Sequence, residues 1–257
     1  MTVTISEGLR KREKQVSNYI EEYSTLAKID PNLVRALITQ ESRFVAEAVS
    51  PTNAYGYGQF TNIGARQVQQ IATIHNSLDF GDLMNFQKKE ASDPDRGIKA
   101  ICAYLWWLLY VKYKNVQDKK VQLEAVLTFY NAGGRPAYLV VKHGGFSEAV
   151  PFIKELPAHQ RGQAHNYAGE VSLWYVAWHE LMKQEEKIKV NLETSITENP
   201  FNGEAFRNKS LDHRYKALVE ALKLLQEDDN ISVLLTSRDG FTEVVLLLPG
   251  EYEHASN

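Results

Sequence analysis

Residues 29–44 read IDPNLVRALITQESRF, and this stretch carries both the fold and the chemistry. Asp30 followed by Pro31 is a helix start, an N-cap carboxylate with proline at the first helical position. The helix it opens runs through LVRALITQE. Along it Val34, Ile38 and Glu41 fall at i, i+4 and i+7, and Leu33, Leu37 and Glu41 at i, i+4 and i+8. Glu41 therefore ends an apolar stripe. A carboxyl there loses hydration, which disfavours its charged form and raises its pKa toward the range of a proton donor near neutrality. Periodicity also allows a plainer reading, in which the Glu41 head snorkels to water at the helix end or pairs with Arg43.

Upstream, Leu9, Val16, Ile20, Tyr23 and Ala27 keep helical spacing and predict one amphipathic helix over 7–27. Downstream, Asp93-Pro94 repeats the start signal before RGIKAICAYLWWLLYVKY, whose apolar run from Ile98 to Tyr113 predicts a central, buried helix. Further helices are expected at 121–130, 146–155 and 164–186, joined by loops such as NAGGRP and KHGG. Residues 187–210 lose the helical period and gain Asn, Thr, Gly and Pro, the composition of a linker. Beyond it, Leu211, Tyr215, Leu218, Leu222 and Leu225 form a last helical stripe, and ISVLLTS and FTEVVLLL flank Arg238-Asp239-Gly240 in a hairpin pattern. The expectation is a mainly α chain: a helical domain at 1–186, a linker at 187–210, and a small α+β helix-hairpin module at 211–257.

Composition narrows the function classes. With 257 residues, 29 Lys and Arg against 32 Asp and Glu, and a net charge of -3, the chain is not a basic nucleic-acid binder, and its many tyrosines suit a sugar groove better than a base-stacking platform. Its one cysteine, Cys102, excludes an intramolecular disulfide or a cysteine metal cluster and fits folding in a reducing compartment. The histidines show no HExxH spacing, and there is no Walker loop or GxGxxG, so neither metal nor cofactor is expected. No 18-residue apolar run predicts membrane insertion, and the first residues show no apolar run of signal-peptide length.

The motifs resemble a family. IDPNLVRALITQESRF, then AVSPTNAYGYGQF, then RGIKAICAYLWWLL and TFYNAGG occur in the order and spacing of the soluble-type lytic transglycosylases, relatives of goose-type lysozyme that cleave peptidoglycan on a lysozyme-like fold. YAGEVSLWYV is similar to a final family element, and the resemblance covers about 30–182. It implies that Glu41 is the sole catalytic acid and base. Ser42 would support the neighbouring site or the sugar, Gln59 would line the glycan groove, Tyr130 would orient Glu41 or the reacting sugar, and Asn131 would position substrate. Tyr57, where the family has Leu, and Glu170, in the final element, complete the expected substrate contacts. Gly58 stands where the family has Met and Asn53 where it has Gly, the latter a mild change because Asn tolerates positive φ. Trp106 and Trp107 read as core or groove wall.

Ordinary glycosidases need two carboxylates. The resemblance implies one, with the substrate's own 6-hydroxyl as nucleophile and a 1,6-anhydromuramoyl product. The alternatives are a goose-type-like muramidase that uses water and a second carboxylate, from Asp79, Asp82, Glu90 or Asp93, and a non-catalytic protein that binds peptidoglycan as part of a larger machine. Absence of a leader and of disulfides points to a bacteriophage protein, carried in the virion or held in the host cytoplasm until release. The apolar strands of 211–257 suggest self-association or docking to a larger assembly by sheet extension.

Overall fold

The computed structural model describes residues 3–75, 80–158, 166–197, 232–238 and 241–247, with side chains up to residue 186. The chain divides into two compact units, Met1–Lys187 and Ile188–Asn257. Helices make up most of the described residues of the first, with a stretch of turns and two isolated β-bridges, Val49 to Tyr55 and Tyr55 to Phe60, over 43–61.

Where one helix is expected over 7–27, two form: α1 (Glu7–Lys14) and α2 (Ser17–Ala27). The break has a local cause. Ser17 Oγ donates to the Lys14 carbonyl at 3.2 Å, a side-chain bond that competes with the helical ladder, and Val16 leaves helical geometry at φ -128°. The apolar stripe survives the break, with Leu9, Val16, Ile20 and Ala27 all buried. α3 (Pro31–Ser42) begins as read: the Asp30 carboxylate accepts from Asn32 N at 2.8 Å with Pro31 in the first turn. It is buried nearly all round, so its polar residues need partners. Arg35, 2 % exposed, donates to the fully buried Glu13 at 2.7 Å and to Glu21 at 2.5 Å. The helix ends sharply because Arg43 and Phe44 both adopt positive φ, 52° and 60°.

Two helices form where none is expected. α4 (Asn62–Ile74) starts at a Thr61 cap and buries Ala65, Val68, Ile71 and Ala72, a short apolar stripe among glutamines. Two short 3-10 turns, Gly81–Asn85 and Lys88–Ser92, then lead to α5 (Pro94–Trp107), capped by Asp93 and continued by one π-helical turn over Leu108–Lys112. As expected, this helix is central, with Ile98, Ile101, Cys102, Leu105 and Leu108 wholly buried. α6 (Lys119–Ala132) follows an Asp118 cap, and after Gly133 the second unanticipated helix, α7 (Gly134–His143), folds back on it with Pro136 tolerated in its first turn. α8 (Phe146–Glu155) completes a satellite core of Val121, Ala125, Leu139, Val140, Ala149 and Ile153.

α9 runs Tyr167–Thr197, past the end expected at 186 and into the segment read as linker. Residues 183–187, KQEEK, are good helix formers that carry the helix to the boundary, and the chain runs on through IKVNLETSIT with no Pro or Gly to stop it. In the second unit, β1 (Ser232–Arg238) and β2 (Phe241–Leu247) pair antiparallel with Arg238 opposite Phe241. The helix expected over 211–225 lies outside the described residues.

Candidate active site

Three helix ends and one turn converge on a cleft of about 580 Å³, within the range of small-molecule sites. The C-terminal end of α3 brings Gln40 and Glu41, the turn after α3 brings Gly58, Gln59 and Phe60, the end of α6 brings Phe129, Tyr130 and Asn131, and the first residue of α9 brings Tyr167. Tyr104 of α5 closes the wall behind them.

The turn is built by its glycines. Gly56 has φ +80°, and a Cβ there would lie 2.2 Å from the Ala91 carbonyl. Gly58 leaves no room either, since a Cβ would meet Tyr130 Oη and Ile101 Cγ1 at 2.7 Å. That contact explains the absence of a larger side chain at 58: the Tyr130 hydroxyl lies against the Gly58 backbone and donates to its carbonyl at 2.9 Å. Asn53 takes φ 61°, the positive value its side chain tolerates. Gln59 braces the same turn, its Nε2 donating to the carbonyls of Ala48 and Gly56, each at 2.9 Å.

Glu41 is partly open to the cleft, yet protein crowds its carboxyl closely enough that desolvation pushes its pKa up to about 7. The opposing influence is a hydrogen bond donated by the Tyr167 hydroxyl, which favours the ionised form. Among the described residues no cation offsets the burial. Arg43, the partner allowed by the sequence, instead holds its guanidinium 5.7 Å from the Trp174 ring centre. Tyr130 and Tyr167 flank the acid, and both hydroxyls are held far above the usual phenol range by burial first and the Glu41 charge second. They therefore remain neutral donors at any pH at which Glu41 titrates. Asn131 buries its Oδ1 with no hydrogen-bond partner among the described residues.

Four of the expected site residues, Glu41, Gln59, Tyr130 and Asn131, thus share the cleft, and three do not line it. Ser42 turns away, its Oγ donating to the Ile38 carbonyl at 3.2 Å inside α3. Tyr57 is 5 % exposed and belongs to the core, and its backbone N–H donates to the Ala91 carbonyl at 2.9 Å. Glu170 does not line the cleft; its Oε2 accepts from Gln40 Nε2 at 2.6 Å. Trp106 and Trp107 pack against the core, as read. Tyr167 went unanticipated, although it opens the quoted segment YAGEVSLWYV, three residues before Glu170.

Of the carboxylates weighed as a second acid, Asp82 pairs with Lys99 at 2.9 Å and Arg96 at 3.3 Å, Glu90 lies 3.4 Å from Arg96, and Asp93 caps α5. Asp79 lies outside the described residues. Among the described residues that line the cleft, Glu41 is the one carboxylate. No group of three or more potential ligand residues suited to a metal ion occurs among the described residues.

Residues 18–143 match the family model of the transglycosylase SLT domain. Among solved structures the chain is similar to an inactive mutant of the lytic transglycosylase Slt from Pseudomonas aeruginosa, at 17% identity over 65% of this chain and 24% of that one, with a TM-score of 0.47. It is similar also to the 70 kDa soluble lytic transglycosylase from Escherichia coli, at 18% identity over 66% and 26%, with a TM-score of 0.46. The match spans about a quarter of the length of each. No curated protein sequence matches.

Proposed function

We propose, on the premise that residues 18–143 belong to the transglycosylase SLT domain family, that this chain is a lytic transglycosylase of lysozyme-like fold. Its substrate is the β-1,4 bond between N-acetylmuramic acid and N-acetylglucosamine in peptidoglycan. The observation that carries the reading is Glu41, a carboxyl with a pKa of about 7 in a cleft whose described lining holds no other acid.

The chemistry follows from that residue. Protonated Glu41 gives its proton to the glycosidic oxygen as the bond from the muramic C1 breaks, and the substrate's N-acetyl group stabilises the cation. The resulting carboxylate, held by Tyr167, takes the proton of the same sugar's 6-hydroxyl, whose oxygen bonds to C1. One C–O bond breaks and one forms, Glu41 ends protonated, and no water is consumed. The 6-hydroxyl is tethered to the carbon it attacks, so its effective concentration far exceeds that of a free nucleophile. Asn131 Oδ1 offers an acceptor for a substrate N–H or hydroxyl, and Gln59 and Tyr130 fix the opposite wall.

Mass spectrometry of muropeptides after digestion of purified walls tests the reading. Products ending in 1,6-anhydromuramic acid are expected. Reducing-end products, each heavier by one water, would establish the muramidase alternative, and inactivity on walls from several bacteria would establish a non-catalytic binding protein. The setting we propose is wall opening by a bacteriophage, supported by the lone buried Cys102, which leaves folding independent of disulfides in a reducing cytoplasm.

A further inference from the structure

Tyr167 reaches Glu41 from another helix, so its aim depends on what holds the first turns of α9 against α3. The side chain of Gln40, next to the acid, spans that junction. Its Nε2 donates to Glu170 Oε2 at 2.6 Å and its Oε1 accepts from Trp174 Nε1 at 3.1 Å. A carboxylate can only accept and an indole N–H can only donate, so these partners fix the orientation of the amide. Glu170 and Trp174 lie one helical turn apart on α9, and Glu170 lies one turn from Tyr167. One amide thus grips two successive points on the helix that begins with the tyrosine. A second tie between these helices, Trp178 Nε1 to Thr39 Oγ1 at 2.9 Å, is wholly buried and lies a further turn along α9.

We propose that Gln40 is a positioning residue for the acid: by clamping Glu170 and Trp174 it fixes where the Tyr167 hydroxyl meets Glu41. The inference rests on the transglycosylase reading for its effect on turnover but not for its effect on the carboxyl itself. It also assigns Glu170 a role, as the anchor that the Gln40 amide holds. The groups facing Glu41 are Tyr167 with Glu170 behind it on α9 and Tyr130 on α6, backed by Tyr104 on α5. Among the described residues none of these is cationic, and the Tyr167 hydrogen bond is the influence that favours the ionised carboxylate.

Three variants of the full chain test this. Gln40→Leu keeps the bulk and removes both hydrogen bonds. Gln40→Glu sets two carboxylates against each other. Gln40→Glu with Glu170→Gln restores a donor-acceptor pair with its polarity reversed. Turnover of wall fragments should fall about 10²-fold in each single variant, the cost of a small misplacement near the chemistry, with KM little changed, and the double variant should recover most of it. In parallel, NMR of ¹³C-labelled glutamate, assigned with Glu41→Gln, follows the Glu41 titration. In Gln40→Leu that titration should move up, because the donor that lowers it has lost its aim. Wild-type turnover together with an unmoved Glu41 titration in Gln40→Leu would overturn the proposal, as would a double variant no better than Gln40→Glu. If Gln40→Leu does not fold, the comparison of Gln40→Glu with the double variant decides. If the wild type cleaves no wall, the functional reading fails while the titration of Gln40→Leu still decides the role of Gln40.

Discussion

At the scale of single residues the site reduces to one carboxyl and the two phenols beside it. Glu41→Gln preserves shape but cannot deliver the proton, so wall cleavage should fall by about 10²- to 10⁴-fold while circular dichroism stays unchanged. The pH dependence follows from the same group. The reaction starts from the protonated acid, so kcat/KM should be flat below a pH of about 7 and fall above it, while Tyr130 and Tyr167 stay neutral. Stability has its own sign. The folded state raises the Glu41 pKa from 4.5 to about 7, so it binds the proton more tightly than the unfolded chain. That contribution is present below the lower value and is lost as pH rises through the upper one. Glu41→Gln should therefore raise Tm relative to wild type at pH 8 and leave it unchanged at pH 4, measured by differential scanning calorimetry. Much of this was legible in the sequence, because a helix start followed by an apolar stripe predicts a desolvated carboxyl. Tyr167 was not legible. Its meeting with Glu41 spans 126 residues of chain and follows no local period. The directions of Ser42 and Tyr57 were not legible for a related reason: motif adjacency says nothing of side-chain direction, and Ser42 bonds back within α3 while the Tyr57 ring packs in the core.

At the scale of elements, caps were readable and interruptions were not. Asp30-Pro31 and Asp93-Pro94 each start a helix where their chemistry predicts. The break at Val16 depends on one serine bond, and α4 hides a stripe of alanine and valine among polar residues too weak to announce itself. Two substitutions probe how elements hold the site. Gly58→Ala places a methyl 2.7 Å from the Tyr130 hydroxyl and Ile101. Overpacking of this kind costs about 1–3 kcal/mol, and because the displaced group is a wall of the cleft, cleavage should fall more than Tm does. Glu13→Ala works from the opposite side of α3. It leaves the Arg35 guanidinium, 2 % exposed, without its buried carboxylate and with the exposed Glu21 and the amide oxygen of Asn32 to face. Removing one member of a buried pair costs about 3–5 kcal/mol, so urea denaturation should show a loss of that size. Glu13→Ala together with Arg35→Met should recover much of it.

At the scale of the whole molecule, the described residues of the first unit carry the cleft and two hydrophobic cores. Every side chain invoked in the chemistry falls between Gln40 and Tyr167, well inside the unit that ends at Lys187. The second unit presents a different problem. Its hairpin pairs Val233 with Leu246, Leu234 with Val245 and Leu235 with Val244, an apolar register in a sheet of two strands. A two-stranded sheet is marginal alone in water, and open strand edges recruit further strands. Among the described residues of this unit the sheet has these two strands, and we propose that it adds strands from a second copy or from a larger assembly. A chain cut after Thr197 keeps α9 whole, so it should retain its Tm and cleave wall fragments at the full-length rate. Light scattering of both forms over a range of concentrations reads the rest: the full chain should gain mass with concentration, and the truncated chain should stay monomeric. Two monomers would remove self-association and leave docking to a different partner as the use of the hairpin. Loss of folding on truncation would instead make residues 198–257 part of what stabilises the catalytic unit.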